Sequence, residues 1–159
     1  MTETYPAMVA LYPDEDTKQN IARLLAEVEG GYNPDDLHCT IVFLGDEFED
    51  DAYRTNKIRS TLFDWADSAL PIFAEVSAQT MFGPDYSVLL VDGKGIAELY
   101  TDVSRALDNI GVYNASEHGF CAHMSIASCA CDDIGALQFP LVFDRMVLAI
   151  GPYRYEIGQ

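Results

Sequence analysis

The chain has 159 residues, with 26 Asp and Glu against 9 Lys and Arg, so its formal charge is −17 at neutral pH. Proteins that bind long nucleic acids neutralise phosphates with clustered Lys and Arg, so this charge excludes a nucleic-acid coat protein and requires local recognition of any phosphate. A hydrophobic fraction of 49% excludes a disordered acidic tail, and we expect residues 1–159 to form a single domain.

The first half of the chain alternates between strand-like and helix-like patterns. An apolar run at residues 7–12 ends at Pro13 and predicts a strand, and the acidic residues 14–16 then begin a helix predicted to reach residue 29. Residues 37–45 are rich in β-branched and aromatic side chains, which predicts a buried strand. A second helix is predicted over residues 51–69, before Pro71 returns the chain to an extended conformation.

The second half is richer in strands. Residues 72–81 and 86–91 predict two strands joined by a turn, and a third helix is predicted from about residue 95 to residue 110. Residues 120–127, 139–150 and 153–157 predict the last three strands. Because strands and helices do not alternate regularly, the order disfavours a doubly wound parallel sheet and predicts an α+β fold with a mainly antiparallel sheet.

The cysteines and the apolar runs limit the environment of the protein. Its four cysteines form no C-x-x-C pair, so we expect reduced structural thiols and neither a bound metal nor a cofactor. No apolar run approaches the roughly 18 residues needed to cross a bilayer, and the N-terminus lacks the basic start and apolar stretch of a secretion signal. We therefore expect a cytoplasmic protein that does not bind membranes.

Two of the three histidines occur in matching frames, HCTI at residues 38–41 and HMSI at residues 123–126. Side chains alternate between the faces of a strand, so His38 points the same way as Thr40, and His123 the same way as Ser125. If the two strands are neighbours, two imidazoles and two hydroxyls converge. One imidazole can then accept a proton while the other donates one, and the hydroxyls can donate to phosphate oxygens.

These frames resemble the motifs of the two-histidine (2H) phosphoesterases, which include RNA 2′,5′-ligase-like proteins and 2′,3′-cyclic nucleotide phosphodiesterases. The segment LHCTIVFLG at residues 37–45 is similar to the first motif of the family, and AHMSIA at residues 122–127 is similar to the second. The separation of the histidines (123 − 38 = 85) and the closing strands also fit, so the resemblance covers nearly the whole chain. Ala122 departs from the Pro found there in many members.

The resemblance implies a two-lobed, LigT-like α+β fold with mainly antiparallel sheets around a central groove and with flanking helices. It also implies metal-independent cleavage of a small cyclic or 2′,5′-linked phosphodiester: a 2′,3′-cyclic phosphate, a cyclic nucleotide, or a cyclic oligonucleotide signal of the kind some viral members remove from host defence. His38 and His123 are then the acid/base pair, and Thr40 and Ser125 bind the phosphate. Which histidine is the acid depends on substrate orientation.

Five further residues outside the two frames also have to be assigned. Tyr12, Tyr153 and Arg154 are candidates for contacts with a base or the groove, or are ordinary core, rim and solvated strand residues. His118 lacks a hydroxyl residue two positions on, and we expect it to be a surface residue. Cys121 shares parity with His123 and lines the groove if the strand extends that far.

The charge distribution limits the partner. Between residues 14 and 51 there are twelve acidic residues and two basic ones, so we expect a monomer that takes a small nucleotide or short oligonucleotide and no long nucleic acid. The alternative is a binding module of the same fold that sequesters a nucleotide without turning it over. A metal-dependent hydrolase is disfavoured, because the residues that follow the two histidines are not carboxylates.

Overall fold

The computed structural model describes residues 3–116 and 119–158, and this part of the chain contains seven strands and three α-helices. The strands are β1 (Thr4–Pro13), β2 (Cys39–Glu49), β3 (Ile72–Phe82), β4 (Tyr86–Asp92), β5 (His123–Ala127), β6 (Pro140–Ile150) and β7 (Tyr153–Ile157). The helices are α1 (Glu15–Leu25), α2 (Ala52–Ala69) and α3 (Lys94–Asp108), and a short 3-10 turn occupies Pro34–Asp36.

Each predicted strand and helix is present, with four clear differences in extent. Strand β1 begins at Thr4 rather than residue 7, and β2 covers Cys39–Glu49 rather than residues 37–45. Helix α1 ends at Leu25 rather than residue 29, because the Val28 N–H donates to the Leu25 carbonyl three residues back and the chain leaves the helix in turns. Strand β5 begins at His123 rather than residue 120. These boundaries depend on where the backbone finds hydrogen-bond partners, which apolar periodicity does not report.

All seven strands belong to one antiparallel sheet with the order β1-β2-β5-β4-β3-β6-β7. The expected α+β class and antiparallel pairing are confirmed, although the strands form one continuous sheet rather than separate sheets. Strand β6 pairs with β3 through its first residues and with β1 over Phe143 to Ile150, so the first six strands in this order close into a ring. Within the described residues, β2 and β5 share one ladder pair, Cys39 opposite Met124.

The three helices pack on one face of the sheet and enclose the main hydrophobic core. Each contributes an apolar face at helical spacing, including Ile21 of α1, Leu62 of α2 and Val103 of α3, all fully buried. Helix α1 is also tied to β6, because the buried Thr17 hydroxyl accepts a hydrogen bond from the Val142 N–H at 3.1 Å. None of these three helices is long and apolar enough to cross a membrane.

The other face of the sheet, which we call the site face, carries a much smaller apolar cluster. It consists of Ala10, Tyr12 and Val147, with Met8 packed against them. Strand β1 thus alternates between the two faces, because the intervening residues Val9 and Leu11 are fully buried in the main core. Polar side chains have room on the site face because the helices pack on the opposite one.

A glycine in the turn between β6 and β7 lies against Tyr5 of β1, so a substitution there can test how tightly the strands pack. Gly151 has φ +53°, and a Cβ added there lies 2.5 Å from Tyr5 Cδ1 and 2.7 Å from Tyr5 Cγ. Gly111 has φ +79° but no atom within 4 Å of an added Cβ, so it is a matched control. We expect Gly111→Ala to cost about 1–2 kcal/mol in free energy of unfolding from backbone strain, and Gly151→Ala about 1–3 kcal/mol more from overpacking.

Urea denaturation of both variants measures this difference. In a Tyr5→Ala background most of the extra cost of Gly151→Ala should disappear, because the ring atoms at 2.5 and 2.7 Å are gone and only the Cβ of residue 5, at 3.0 Å, remains. Equal losses for the two glycine variants in the native background would contradict the packing argument.

Candidate active site

The two histidine frames lie side by side in the sheet. Cys39 and Met124 face each other across β2 and β5, and both are fully buried in the main core. Because strand side chains alternate, the residues on either side of this pair point to the site face. The antiparallel register sets Thr40 opposite His123, with His38, which directly precedes β2, opposite Ser125. All four side chains are half-buried.

The imidazoles are held in the same way. His38 Nδ1 lies 2.7 Å from the Asp36 carbonyl oxygen, and His123 Nδ1 lies 2.8 Å from the Cys121 carbonyl oxygen. A carbonyl oxygen only accepts, so each Nδ1 must donate its proton to the carbonyl two residues earlier. In the neutral ring, Nε2 then carries the lone pair, which leaves one basic nitrogen per histidine free of the backbone.

The electrostatic surroundings of His38 favour its neutral form. Burial lowers the pKa of His38 below its ordinary value of 6.5, and the positive charges of Arg154 and His123 lower it further. The hydrogen bond to the Asp36 carbonyl acts in the opposite direction and does not reverse the shift. At neutral pH His38 is therefore suited to accept a proton.

Each histidine packs against one aromatic ring from a different strand. The centroid of the Tyr12 ring lies 5.6 Å from that of His38, and the Phe82 centroid lies 4.6 Å from that of His123. Tyr12 is 6% exposed, so it supports His38 from below the surface instead of standing at an open rim. The Arg145 guanidinium carbon lies 5.6 Å from the centroid of the Tyr12 ring.

The hydroxyl of Thr40 donates to Met8 Sδ at 3.2 Å. Thioether sulfur is a weak acceptor, so a phosphate oxygen can take over this hydrogen bond at little cost. A bulge between β1 and β2 also reshapes the site: Ala10 pairs with Thr40 but Met8 pairs with Phe43, which brings Phe43 to the same face as Thr40. Without the bulge, strict alternation from Thr40 would place Val42 rather than Phe43 on this face.

A cavity of about 470 Å³ opens beside His123. Its aromatic wall is formed by Phe43, Phe82, Tyr100 and Phe120. The Tyr100 and Phe120 rings are stacked, with centroids 4.1 Å apart and planes 6° apart. Sequence reasoning missed these residues because they come from separate elements, and no local spacing indicates that they meet at His123.

The remaining sequence candidates lie at different places. Cys121 lines the cavity through its proximity to His123, although β5 starts two residues later. Arg154 is exposed and donates to the Gly151 carbonyl at 2.7 Å, and its charge acts on His38. The Tyr153 ring instead packs edge-on against Tyr5 at 5.9 Å, away from the histidine pair. His118 lies outside the described residues.

The described side chains give little support to a cysteine nucleophile or to a metal centre. Burial raises the pKa of the Cys39 thiol to about 12, so this cysteine is not a thiolate nucleophile at neutral pH. Among residues 3–116 and 119–158, no group of three or more His, Cys, Asp or Glu side chains is placed to hold a metal ion. Acid–base chemistry by the two imidazoles is what this geometry offers.

No family model and no curated protein matches the sequence. Solved structures are similar in fold. The protein TT0787 of Thermus thermophilus has a TM-score of 0.72 at 11% identity, covering 96% of this chain and 97% of that one. A phosphoesterase has a TM-score of 0.68 at 15% identity, and E. coli LigT in its apo form 0.64 at 15%; each comparison covers 99% of this chain and 100% of the other. The chain therefore has the LigT-like fold expected from its histidine motifs.

The tautomer and the lowered pKa of His38 predict a specific NMR result. Long-range 1H–15N correlation spectra at neutral pH should show His38 neutral, with Nδ1 protonated, and its titration midpoint should lie below 6.5. The signal is assigned to His38 by its absence from the spectrum of the His38→Gln variant.

The same shift links acidity to stability. The unfolded chain binds this proton more tightly than the folded chain, so stability falls as pH decreases through 6.5 toward the folded-state pKa of His38. His38→Gln should remove that part of the pH dependence of unfolding. A midpoint at or above 6.5 would contradict the burial argument.

Proposed function

We propose that this chain is a two-histidine phosphoesterase that hydrolyses a small nucleotide phosphodiester by acid–base catalysis, without a metal ion. The proposal rests on one observation. Two neighbouring antiparallel strands present four polar side chains on one face: His38, Thr40, His123 and Ser125. In the described part of the chain these strands share one ladder pair, Cys39 opposite Met124. The substrates we consider are a 2′,3′-cyclic phosphate, a cyclic nucleotide or oligonucleotide, and a 2′,5′-linked oligonucleotide.

In the proposed reaction, a water oxygen attacks phosphorus while one imidazole Nε2 takes the water proton. The bond between phosphorus and the ribose oxygen breaks, and the second imidazole, protonated at Nε2, gives its proton to that oxygen. Water is thus added across the bond. The two histidines finish with exchanged protonation states, and proton exchange with solvent restores them.

We assign the base to His38 and the acid to His123. Burial and nearby positive charge lower the pKa of His38, so its Nε2 is available as an acceptor at neutral pH. Two positively charged imidazoles on the same face repel each other, so protonation of one disfavours protonation of the other. A state with one charged and one neutral imidazole is therefore favoured, as the proposed division of roles requires. The hydroxyls of Thr40 and Ser125 are proposed to donate to the nonbridging phosphate oxygens, where charge develops in the transition state.

Substrate size follows from charge. The chain carries −17 overall, and few cations stand near the histidines: Arg154 acts on His38 through its charge, and Arg145 lies over Tyr12. A substrate with few phosphates can be held by such a site, whereas a long RNA meets net repulsion. Structures of E. coli LigT with 3′-AMP, ATP and NADP+ show that this fold accommodates small nucleotides in that protein.

The first test is turnover in the presence of EDTA. The purified protein should hydrolyse at least one of 2′,3′-cyclic mononucleotides, cyclic di- and trinucleotides or 2′,5′-linked dinucleotides. His38→Ala and His123→Ala should each lower kcat/KM by about 10²–10⁴-fold, and Thr40→Val and Ser125→Ala by about 10²-fold.

Thr101→Val is the matched control, because that hydroxyl lies on the exposed surface of α3 and donates to the Ala97 carbonyl of the same helix. Its turnover should equal that of the native chain, and circular dichroism should show all variants folded. Activity that survives both histidine substitutions, or that requires added metal, would refute the proposal. Stoichiometric binding with full recovery of intact nucleotide would establish a sequestering module instead.

The second test separates the acid from the base. A nucleoside 4-nitrophenyl phosphodiester releases 4-nitrophenolate, a leaving group that departs without a proton. With this substrate His123→Ala should retain much of the native rate, whereas His38→Ala should stay as impaired as with a ribose leaving group. The reverse pattern would exchange the two assignments, and equal impairment by both variants would contradict a division into acid and base.

A further inference from the structure

We infer that the cavity beside His123 binds the nucleobase of the substrate, and that Asn114 and Tyr100 select which edge of the base is accepted. The inference deepens the proposed function and rests on it for the nature of the ligand. It identifies residues outside the two histidine frames, from α3 and from the segment that leads from α3 to β5.

The cavity has the chemistry of an aromatic-ring site. At about 470 Å³ it falls within the range of roughly 300–1,000 Å³ typical of small-ligand pockets. Its wall carries four aromatic rings, and no Lys, Arg, Asp or Glu lines it among the described residues. Apart from Thr40 and His123, such a lining favours an uncharged planar group over a phosphate, because a phosphate would lose its hydration without gaining a counter-charge.

The stacked pair of Tyr100 and Phe120 supplies a rigid platform. Their rings are nearly parallel, and Phe120 is held three residues before His123. A base that stacks on an aromatic face gains affinity without regard to its identity, because every base has a π-face. The ring pair therefore positions the base, and discrimination among the four bases must come from polar groups.

Asn114 provides such a group in a fixed orientation. Its Oδ1 accepts a hydrogen bond from the Ser116 N–H at 2.9 Å, so the other amide atom is Nδ2, which donates to the Tyr100 hydroxyl at 3.3 Å. An amide nitrogen has two hydrogens, and the Tyr100 oxygen, once it accepts, still has its own. Asn114 and Tyr100 therefore offer two donors, which favour a base edge with two acceptors over an edge that carries an amino group.

The position of the cavity agrees with the assignment of acid and base. It opens at His123, while the arginine charge acts on His38 at the other end of the pair. A nucleoside whose base occupies the cavity has its ribose nearest His123. The ribose oxygen that leaves phosphorus is then on the side of the acid.

The first experiment measures binding, independently of turnover. Calorimetric titration should show that the four nucleoside 3′-monophosphates bind at least about 10-fold more tightly than ribose 5-phosphate, because stacking adds affinity. Phe120→Leu should lower the affinity for the nucleotides about 10-fold, whereas Phe120→Tyr should leave that affinity unchanged. Neither substitution should change the affinity for ribose 5-phosphate. Phe73→Leu, at an exposed ring on β3, is the control for loss of an aromatic side chain.

The second experiment measures selectivity. Asn114→Asp replaces the donor by an acceptor of the same shape, so the preference among the four nucleotides should shift away from uracil and toward the bases that carry an amino group, adenine, cytosine and guanine. A merely structural role for Asn114 would weaken all four nucleotides equally, and that result would overturn its assignment.

Failure of this inference is distinguishable from failure of the proposed function. Nucleotides that bind no more tightly than ribose 5-phosphate, or that ignore Phe120→Leu, would overturn the base site even if the protein hydrolyses phosphodiesters. Tight, base-selective binding without hydrolysis of any tested diester would retain the base site and refute the phosphodiesterase.

Discussion

The arrangement of this molecule depends on one ladder pair, Cys39 opposite Met124, where β2 meets β5. Both side chains are fully buried against the helices, so the period of two along each strand sends their neighbours to the other face. A slip of one residue in this register would exchange the buried set for the polar one and place two imidazoles in the core. Burial of two apolar side chains is thus the force that presents His38 and His123 together.

The two halves of the site have equivalent parts in unequal surroundings. Both imidazoles donate from Nδ1 to a carbonyl two residues earlier, and both pack on an aromatic ring. Yet His38 lies beside buried Tyr12 and feels the charge of Arg154, whereas His123 adjoins the aromatic cavity. Burial and the charge of Arg154 lower the pKa of His38, which suits it to the role of base that we propose.

The acidic character of the chain and the apolar character of the cavity act together. A chain with 26 acidic side chains and 9 basic ones repels polyanions, so affinity for a nucleotide has to come from short-range contacts at the site. Stacking and a few directed hydrogen bonds supply such contacts without a field of positive charge. The charge from which we expect no long nucleic-acid partner is therefore compatible with the proposed recognition of a single nucleoside.

The sequence by itself determined the types and order of the strands and helices and the pairing of each histidine with a hydroxyl, because these follow from periodicity and spacing along a local stretch of chain. It did not determine where α1 stops or where β5 starts, since backbone hydrogen-bond partners come from distant segments. Only the tertiary structure decided that β2 and β5 are neighbours, that Phe43 reaches the site face through a bulge, and that Tyr100, Asn114 and Phe120 gather beside His123. The lowered pKa of His38 likewise depends on burial and charges from other strands, which no local pattern encodes.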